Sequence, residues 1–219
     1  RERRDHVLFA LMLTDILAVA SGAVVGLLLG LLGGGGSILA VPLLLYVVGL
    51  KDAHVAIGTS AAAVAASAAL TLLLHSRDRN VKWPCALVFA ACGVLGALIG
   101  ARVAQAIDGP KLILAFAVAM IGVAVSLLRR PVSLGDPDVR INAPIATRLV
   151  PMGLATGLAS GFFGIGGGFL IVPGLITATN MTFIHAIGSS LVAVTAFAAA
   201  TATSYAAAGL VDWTVAGLF

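Results

Sequence analysis

Charged residues are scarce in this chain: Asp, Glu, Lys and Arg together make up only 10% of its 219 residues. A soluble domain of this size carries roughly a quarter charged residues, which it needs to cover its surface. The chain is 60% hydrophobic and has a mean hydropathy of +1.12. This composition excludes a soluble globular domain and predicts an integral membrane protein.

Cysteine is rare, and Gly-Lys pairs are absent from the sequence. Cys85 and Cys92 stand on one apolar stretch, which is typical of packing residues and not of a disulfide or zinc framework. Without a Gly-Lys pair the chain has no Walker A motif, so any ATPase that drives it would be a separate chain. The net charge of +4 comes from basic residues at the ends of apolar stretches, so no nucleic-acid partner is predicted. We also predict no cofactor and no metal site.

Long apolar stretches are abundant. Most of them are of helix-spanning length, and two shorter ones, 38–49 and 169–179, follow glycine-rich segments. The long stretches are 8–32, 54–74, 84–107, 111–128, 149–163 and 184–207. The predicted fold class is therefore an all-α integral membrane protein, a polytopic helical bundle.

Two glycine-rich segments resemble each other. Residues 26–42, GLLLGLLGGGGSILAVP, lie over residues 157–173, GLASGFFGIGGGFLIVP, at an offset of 131. Farther along the chain, AIGTS at 56–60 matches AIGSS at 186–190 at an offset of 130. A glycine pattern that recurs with its downstream motif predicts an internal duplication, and hence two homologous repeats.

The duplication predicts the domain boundaries. We expect a first transmembrane repeat at 1–130, a cytoplasmic loop at 131–147 and a second repeat at 148–219. Trp83 matches Trp213, but the first repeat continues through two further helices after this tryptophan and the second does not. We therefore expect the parent protein to continue for roughly 40 more residues.

The basic residues predict the topology. Suppose that 8–32 crosses the membrane and that 38–49 then dips in and returns to the face opposite the N-terminus. Ten of the thirteen Lys and Arg residues then lie on the face of the N-terminus, and only Lys51, Arg102 and Lys111 lie on the opposite face. The positive-inside rule then predicts a cytoplasmic N-terminus, and the glycine-rich segments become re-entrant or broken helices. Four crossings separate the units, which makes the repeats parallel. Five crossings and an inverted repeat are the alternative.

The two glycine-rich breaks are the predicted substrate site. Irregular backbone at membrane depth survives only inside protein or beside water, and paired breaks are typical of a transporter's central site. A short helix that starts after Gly36 or Gly168 would direct free N–H groups at an anion, and Ser37 would cap the first such helix or bind the ligand. The predicted substrate-binding residues are Gly33, Gly34, Gly35, Gly36, Ser37, Pro42, Thr59, Ser60, Gly164, Gly166, Gly167, Gly168, Pro173, Ser189 and Ser190.

Three further residues are candidates for proton coupling. Asp15 is the only acidic residue well inside an apolar stretch, where a carboxylate is by default a functional hypothesis. Its match in the second unit is Ala146, which indicates an interfacial position instead. His54 and His185 lie beside the short helices and could form a pH-sensitive gate or have structural roles.

The paired elements GGGGSILAVP and GIGGGFLIVP, each followed by AIG[T/S]S, closely resemble the TauE/SafE family of sulfite exporters and related anion permeases. The resemblance spans nearly the whole chain, and Ile165 departs from it by replacing the second glycine of the run. It implies a multi-pass transporter of the cell membrane that moves sulfite, organosulfonates or related sulfur oxyanions. The expected partners are a small anion and the lipid bilayer, and homo-oligomerisation is left open.

Two other classes of function stay open at this point. An intramembrane enzyme could use Ser60 or Ser190 as nucleophile with His54 or His185 as base, although catalytic dyads are seldom duplicated with their neighbours. A structural membrane protein would use the glycines only for close helix packing. Recurrence of the glycine run with a proline six residues after it favours the transporter.

Overall fold

The computed structural model describes residues 2–77, 80–128, 143–164 and 166–219. Within these ranges the chain is a bundle of helices without a β-strand. The helices are α1 (Glu2–Leu32), α2 (Ala40–Tyr46), α3 (Ala53–Arg77), α4 (Trp83–Gln105), α5 (Gly109–Leu128), α6 (Ala143–Phe163), α7 (Gly168–Thr179), α8 (Phe183–Ala207) and α9 (Trp213–Leu218), and a 3₁₀ segment, Gly33–Leu39, joins α1 to α2.

Four of these helices are long and apolar enough to cross a membrane: Leu13–Leu31 within α1, and the whole of α3, α4 and α8. All six predicted long stretches are helical, except that α4 ends at Gln105, two residues before the predicted end of its stretch. The predicted helical membrane bundle with broken glycine-rich helices is thus confirmed. The predicted loop at 131–147 lies outside the described residues up to 142, and its last part, 143–147, belongs to α6 instead.

The first glycine-rich break reverses the chain. Ala18 of α1 packs in one cluster with Leu44 of α2 and Ala56 of α3, at one end of the bundle. Leu29, farther along α1, instead packs in the central cluster with Ala40, the first residue of α2. The helices α1 and α2 therefore form a hairpin that returns to the face from which α1 came.

The second break forms a matching hairpin between α6 and α7. A methyl group built on Gly167 would lie 2.5 Å from the Cβ of Ser160, and one built on Gly174 would lie 3.4 Å from a methyl carbon of Thr156. As the residue number rises along α7 it falls along α6, so the two helices are antiparallel. The segment 168–179 returns to the face where α6 begins.

The helices α3 and α8 contain the matched AIG[T/S]S motifs and run antiparallel. The N–H of Lys82, which follows the end of α3, donates to Oγ of Ser189 near the start of α8 at 2.9 Å. The N–H of Asp212, which follows the end of α8, donates to Oγ1 of Thr59 near the start of α3 at 3.0 Å. Each helix therefore begins where the other one ends.

This antiparallel pairing contradicts the predicted parallel arrangement of the two units. Because α1 and α2 together return to one face, the crossings between the units are α3, α4 and α5, an odd number. The 20-residue helix α5 counts as a crossing because it begins at Gly109, beside Ala53 at the start of α3. The prediction of four crossings counted α1 as a complete crossing and is wrong. The N-terminal end of α1 now shares a face with Lys51 and Lys111, so the charge asymmetry that supported a cytoplasmic N-terminus is lost.

Glycine brings α4 and α6 into backbone contact. A Cβ on Gly157 would overlap the backbone of Gly93, and a Cβ on Gly161 would overlap the backbone of Ala97. The members of each pair are 64 residues apart (157 − 93 and 161 − 97), so α4 and α6 run parallel, side by side. Small residues four apart allow this close approach of membrane helices.

We expect Gly157→Ala to lower the free energy of unfolding by about 1–3 kcal/mol, because the added methyl must push two packed backbones apart. Thermal unfolding in detergent measures the effect. Gly122 of α5 is the matched control, since no atom lies within 4 Å of the methyl that alanine would add there. Gly122→Ala should leave Tm unchanged or raise it slightly. Equal losses in both variants would contradict the packing role of Gly157.

Candidate functional site

The second glycine break lies at the centre of the bundle. A methyl group built on Gly166 would be 3.1 Å from Cγ1 of Val64 and 3.1 Å from Cγ1 of Val194. Both valines stand near the midpoints of 25-residue helices, α3 and α8, whose length spans a bilayer. The backbone therefore becomes irregular at mid-depth, where only protein or water can satisfy its polar groups.

Glycine is required in this break because the backbone turns into the left-handed region. The φ angles of Gly164, Gly166 and Gly167 are +68°, +63° and +64°. A residue with a Cβ adopts this region at a cost of about 1–2 kcal/mol. The replacement of a glycine by Ile165 lies at a position outside the described residues.

The break places the buried N-terminus of α7 at the centre of the bundle. The first helical hydrogen bonds run from the N–H groups of Leu170 and Ile171 to the carbonyl oxygen of Gly167, at 2.9 and 3.0 Å. The N–H groups of Gly168 and Phe169 precede them and are among the donors that a helix leaves without an intrahelical partner. With the positive end of the helix dipole, these donors can bind an anion at the centre of the bundle.

Ser60 of α3 contacts the same break. Its hydroxyl lies 2.9 Å from the carbonyl oxygen of Ile57 and 3.2 Å from that of Gly164. The side chain of Ile57 packs directly against Gly164. A helix of the first unit therefore holds the break of the second unit, and the structure brings Ser60 together with Gly164, as a shared site requires.

The first break is built differently. It is a 3₁₀ segment that contains all four glycines from Gly33 to Gly36. The helix α2 begins at Ala40, and its cap residue is Leu39, which makes no side-chain cap hydrogen bond. The α-helical part of this short helix therefore begins at Ala40, later than predicted, and Ser37 is not its cap. A role of Ser37 in ligand binding stays a prediction. Ser37 is fully buried inside the 3₁₀ segment, where it has a bonding partner.

The two prolines that follow the breaks occupy different positions in their helices. Pro42 is the third residue of α2, where the backbone N–H would have no helical partner in any case. Pro173 stands inside α7, where it removes the N–H that would bond to the carbonyl of Phe169. The helix α7 therefore loses one internal hydrogen bond close to its N-terminus.

The AIG[T/S]S motifs attach loops to helices on opposite faces of the bundle. A Cβ on Gly58 would overlap the carbonyl oxygen of Leu210, and one on Gly188 would lie 2.6 Å from that of Asn80. The hydroxyl oxygen that follows each glycine, on Thr59 or Ser189, accepts the loop amides described above. These two hydroxyls do not converge on the central break, so their predicted role in substrate binding stays a prediction.

Comparison with known proteins agrees with this architecture. The sequence profile described as "Sulfite exporter TauE/SafE" matches residues 18–219. The chain belongs to the TauE/SafE family. A probable membrane transporter protein of Xylella fastidiosa (strain 9a5c) is 50% identical over 202 residues, which cover 92% of this chain and 77% of the relative.

More distant relatives carry similar names. The probable membrane transporter protein YdhB of Bacillus subtilis (strain 168) is 27% identical over 190 residues, covering 86% of this chain and 77% of YdhB. No solved structure matches the chain significantly. The predicted resemblance is confirmed, and this TauE/SafE protein is a multi-pass membrane transporter.

The candidate coupling residues of this TauE/SafE transporter lie away from the break. His54 and His185 stand in the first turns of α3 and α8, on opposite faces, and Nδ1 of His185 lies 2.6 Å from Oγ1 of Thr182. Asp15 is exposed on α1, one turn before Ala18. Their role in coupling stays a prediction.

The enzyme alternative requires a hydroxyl activated by histidine. The hydroxyl of Ser190 donates to the carbonyl oxygen of Ile187 at 2.7 Å, and that of Ser60 is within bonding distance of two carbonyls. Neither geometry is that of a nucleophile bonded to a general base. In the described ranges, no group of three or more His, Cys, Asp and Glu residues is placed to hold a metal ion.

A small apolar pocket lies between α2, α3 and α5 of the TauE/SafE bundle. Its lining is mostly apolar and includes Pro42, Ile57, Leu112 and Phe163. Apolar walls suit a hydrocarbon chain and give an anion no hydrogen-bond donors. The pocket borders the second break through Ile57 and Phe163, but the donors described above lie at the break itself.

Sequence reasoning missed Ser160, a fully buried residue of α6 beside the second break. A signal for it was present in the aligned segments 26–42 and 157–173. Leu29 stands in the first segment where Ser160 stands in the second, so an apolar residue is replaced by a polar one.

Proposed function

We propose that this TauE/SafE protein is a secondary transporter of small anions, with sulfite, organosulfonates and related sulfur oxyanions as substrates. The observation that carries the proposal is the left-handed backbone at Gly164, Gly166 and Gly167, which places the N-terminus of α7 at mid-depth. Helix-end amides and a partial positive charge stabilise an oxyanion without a full cation. Binding of this kind is moderate, which allows release on either side.

The opposite orientation of the two units suggests how access to the central site alternates between the two faces of the membrane. In transporters with inverted repeats, one unit rocks against the other around a fixed central site. The break of the second unit would remain with α3 through Ser60 and Gly164 while loops on the two faces open in turn. Thr59 and Ser189 would act indirectly by holding those loops, and the first break, with Ser37 and Pro42, would line the path.

We propose that the protein lies in the cell membrane. A cytoplasmic N-terminus stays a prediction, because the charge asymmetry that supported it is lost. Asp15, His54 and His185 are retained as candidates for proton coupling. The two histidines lie on opposite faces, as one titratable group for each gate would require.

Flux into proteoliposomes tests the proposed function. Sulfite, sulfoacetate, sulfate and chloride would be supplied in parallel under an imposed proton gradient, with protein-free liposomes as control. We expect selective, gradient-dependent uptake of a sulfur oxyanion. If folded protein moves none of these anions, the proposed substrate class is wrong, and the enzyme alternative has to be considered again.

A further inference from the structure

A hydroxyl group without a partner stands at the start of α7. Ser160 is fully buried, and its Oγ has no hydrogen-bond partner among the residues that the structure describes. A methyl group built on Gly167, the N-cap residue of α7, would lie 2.9 Å from this Oγ. Buried hydroxyls are nearly always paired, so an unpaired one at a helix N-terminus points to a bound group that completes it.

A second unpaired hydroxyl belongs to Thr201 of α8, which is also fully buried. Thr201 lies three residues after Ala198, and residues at this spacing share one face of a helix. The Cβ of Ala198 would lie 3.4 Å from a methyl group built on Gly166. Thr201 is therefore on the face of α8 that meets the second break.

Tyr205 continues this face one turn farther. It is fully buried, and its hydroxyl is likewise unpaired among the described residues. Tyr205 packs in one cluster with Phe169, which follows the break, and with Ile57, which contacts it. Three unpaired hydroxyls thus lie on α6 and α8, the two helices that contact the break through Ser160 and Ala198.

The first break lacks this arrangement. Leu29, which the sequence match places at the position of Ser160, is a fully buried apolar residue. The helix α2 is only seven residues long and is entered through a 3₁₀ segment, so it has no comparable N-terminal donors. The two breaks therefore differ in chemistry, although their sequences match.

Charge is also missing from the interior. Every buried polar residue that the structure describes, apart from Tyr205, is a serine or threonine. The energetic cost of burying an ion rises with the square of its charge, and no buried cation is available here to offset it. Neutral donors can compensate a single negative charge far better than a double one.

We infer that Ser160, Thr201 and the amides at the start of α7 form a single subsite for a singly charged oxyanion, such as hydrogensulfite or a simple alkylsulfonate. The inference rests on the proposed function and adds to it the identity of the donors, a stoichiometry of one anion per chain, and selection against dianions. Ser160 and Thr201 donate their hydroxyl protons to the anion's oxygen atoms. Tyr205, one turn after Thr201 on α8, supplies a third hydroxyl.

Binding to the purified protein in detergent tests this subsite. The probes are sulfite, methanesulfonate as a fixed monoanion and sulfate as a dianion, at equal ionic strength, measured by calorimetry and by the shift in Tm. We expect one site per chain, with methanesulfonate bound at least ten times more tightly than sulfate. Ser160→Ala should weaken methanesulfonate binding roughly 10- to 100-fold, the usual effect of losing a hydrogen bond to a charged group.

The Tm of the protein without anion shows whether a substitution at Ser160 affects anion binding alone or also the stability of the fold. Because Oγ of Ser160 pairs with nothing in the described structure, Ser160→Ala should leave the Tm without anion unchanged or higher. Ser160→Thr retains the hydroxyl and should retain most of the binding. Thr156→Val is the matched control one turn earlier on α6, since its hydroxyl is already bonded to the carbonyl of Met152 at 2.7 Å. This control should bind methanesulfonate like the wild type.

The outcomes distinguish this inference from the proposed function. If the wild type binds none of the sulfur oxyanions, the proposed function fails and the subsite fails with it. If the wild type binds sulfite or methanesulfonate and Ser160→Ala binds equally well, only the subsite is wrong. A lower Tm of unliganded Ser160→Ala would also overturn it, because the hydroxyl would then have a structural partner. Sulfate bound as tightly as methanesulfonate would overturn the selection by charge.

Discussion

Replacing Gly167 with leucine should reduce anion flux to the level of protein-free liposomes while leaving membrane insertion intact. The φ angle of +64° imposes a strain of about 1–2 kcal/mol on any residue with a Cβ. The new side chain would also meet Ser160, whose Cβ lies 2.5 Å from the position of the added carbon. Both effects displace the N-terminus of α7, which is the proposed source of donors for the anion.

Gly209 supplies a control with the same backbone strain. Its φ angle is +70°, but no atom lies within 4 Å of the methyl group that a side chain would add. Gly209→Leu should therefore transport anions like the wild type. The difference in flux between the two variants then measures the effect of the steric clash at the break, since the backbone strain is the same in both. Gly35→Leu in the first break is also expected to abolish flux. Wild-type flux in both Gly35→Leu and Gly167→Leu would rule out the glycine breaks as the substrate site.

The helices and the breaks could be predicted because their physical causes are local. A long apolar run has to be helical in a membrane, since only a helix satisfies its own backbone. The glycine runs were correctly assigned as breaks because their backbone cannot be satisfied in lipid. Trp83 and Trp213, matched by sequence, are the first residues of α4 and α9. The duplication itself stays a prediction, although matched residues such as Thr59 and Ser189 make matching hydrogen bonds.

The direction of the second unit could not be predicted, because it depends on tertiary packing. Leu13–Leu31 is long enough to cross a membrane, so counting α1 as a complete crossing was reasonable from length alone. Only the return of α2 along α1 shows that the pair makes no net crossing. The positive-inside rule then favoured the wrong arrangement, because it was applied to a topology with one crossing too many.

The roles of the hydroxyl groups were equally hard to predict, since composition does not reveal hydrogen-bond partners. Thr59 and Ser189 looked like free donors, but each accepts a loop amide. Ser160 was not singled out from the sequence, but its hydroxyl is buried and unpaired in the part of the chain that the structure describes. The hydrogen-bond partners of Thr59 and Ser189 come from distant parts of the chain, so the local sequence does not reveal which hydroxyls are paired.

Labelling of single cysteines should give an all-or-none answer on the direction of the second unit. In a background with Cys85→Ala and Cys92→Ala, cysteine would replace Lys51 between α2 and α3, Arg77 at the end of α3, or Asn180 between α7 and α8. All three residues are exposed. Because α7 returns to the face where α6 begins, we expect positions 77 and 180 to react with an impermeant maleimide from one side, and position 51 only from the other.

The same experiment contradicts the structure if position 180 reacts together with position 51. Parallel units would place α7 on the opposite face from the start of α6, so position 180 would share a face with position 51 and not with position 77. Intact cells and inside-out vesicles then assign the faces. A cytoplasmic N-terminus requires position 51 to react only in inside-out vesicles, because the hairpin of α1 and α2 puts the start of α1 and Lys51 on one face. Reaction of position 51 in intact cells would place the N-terminus outside and would leave the inverted arrangement unaffected.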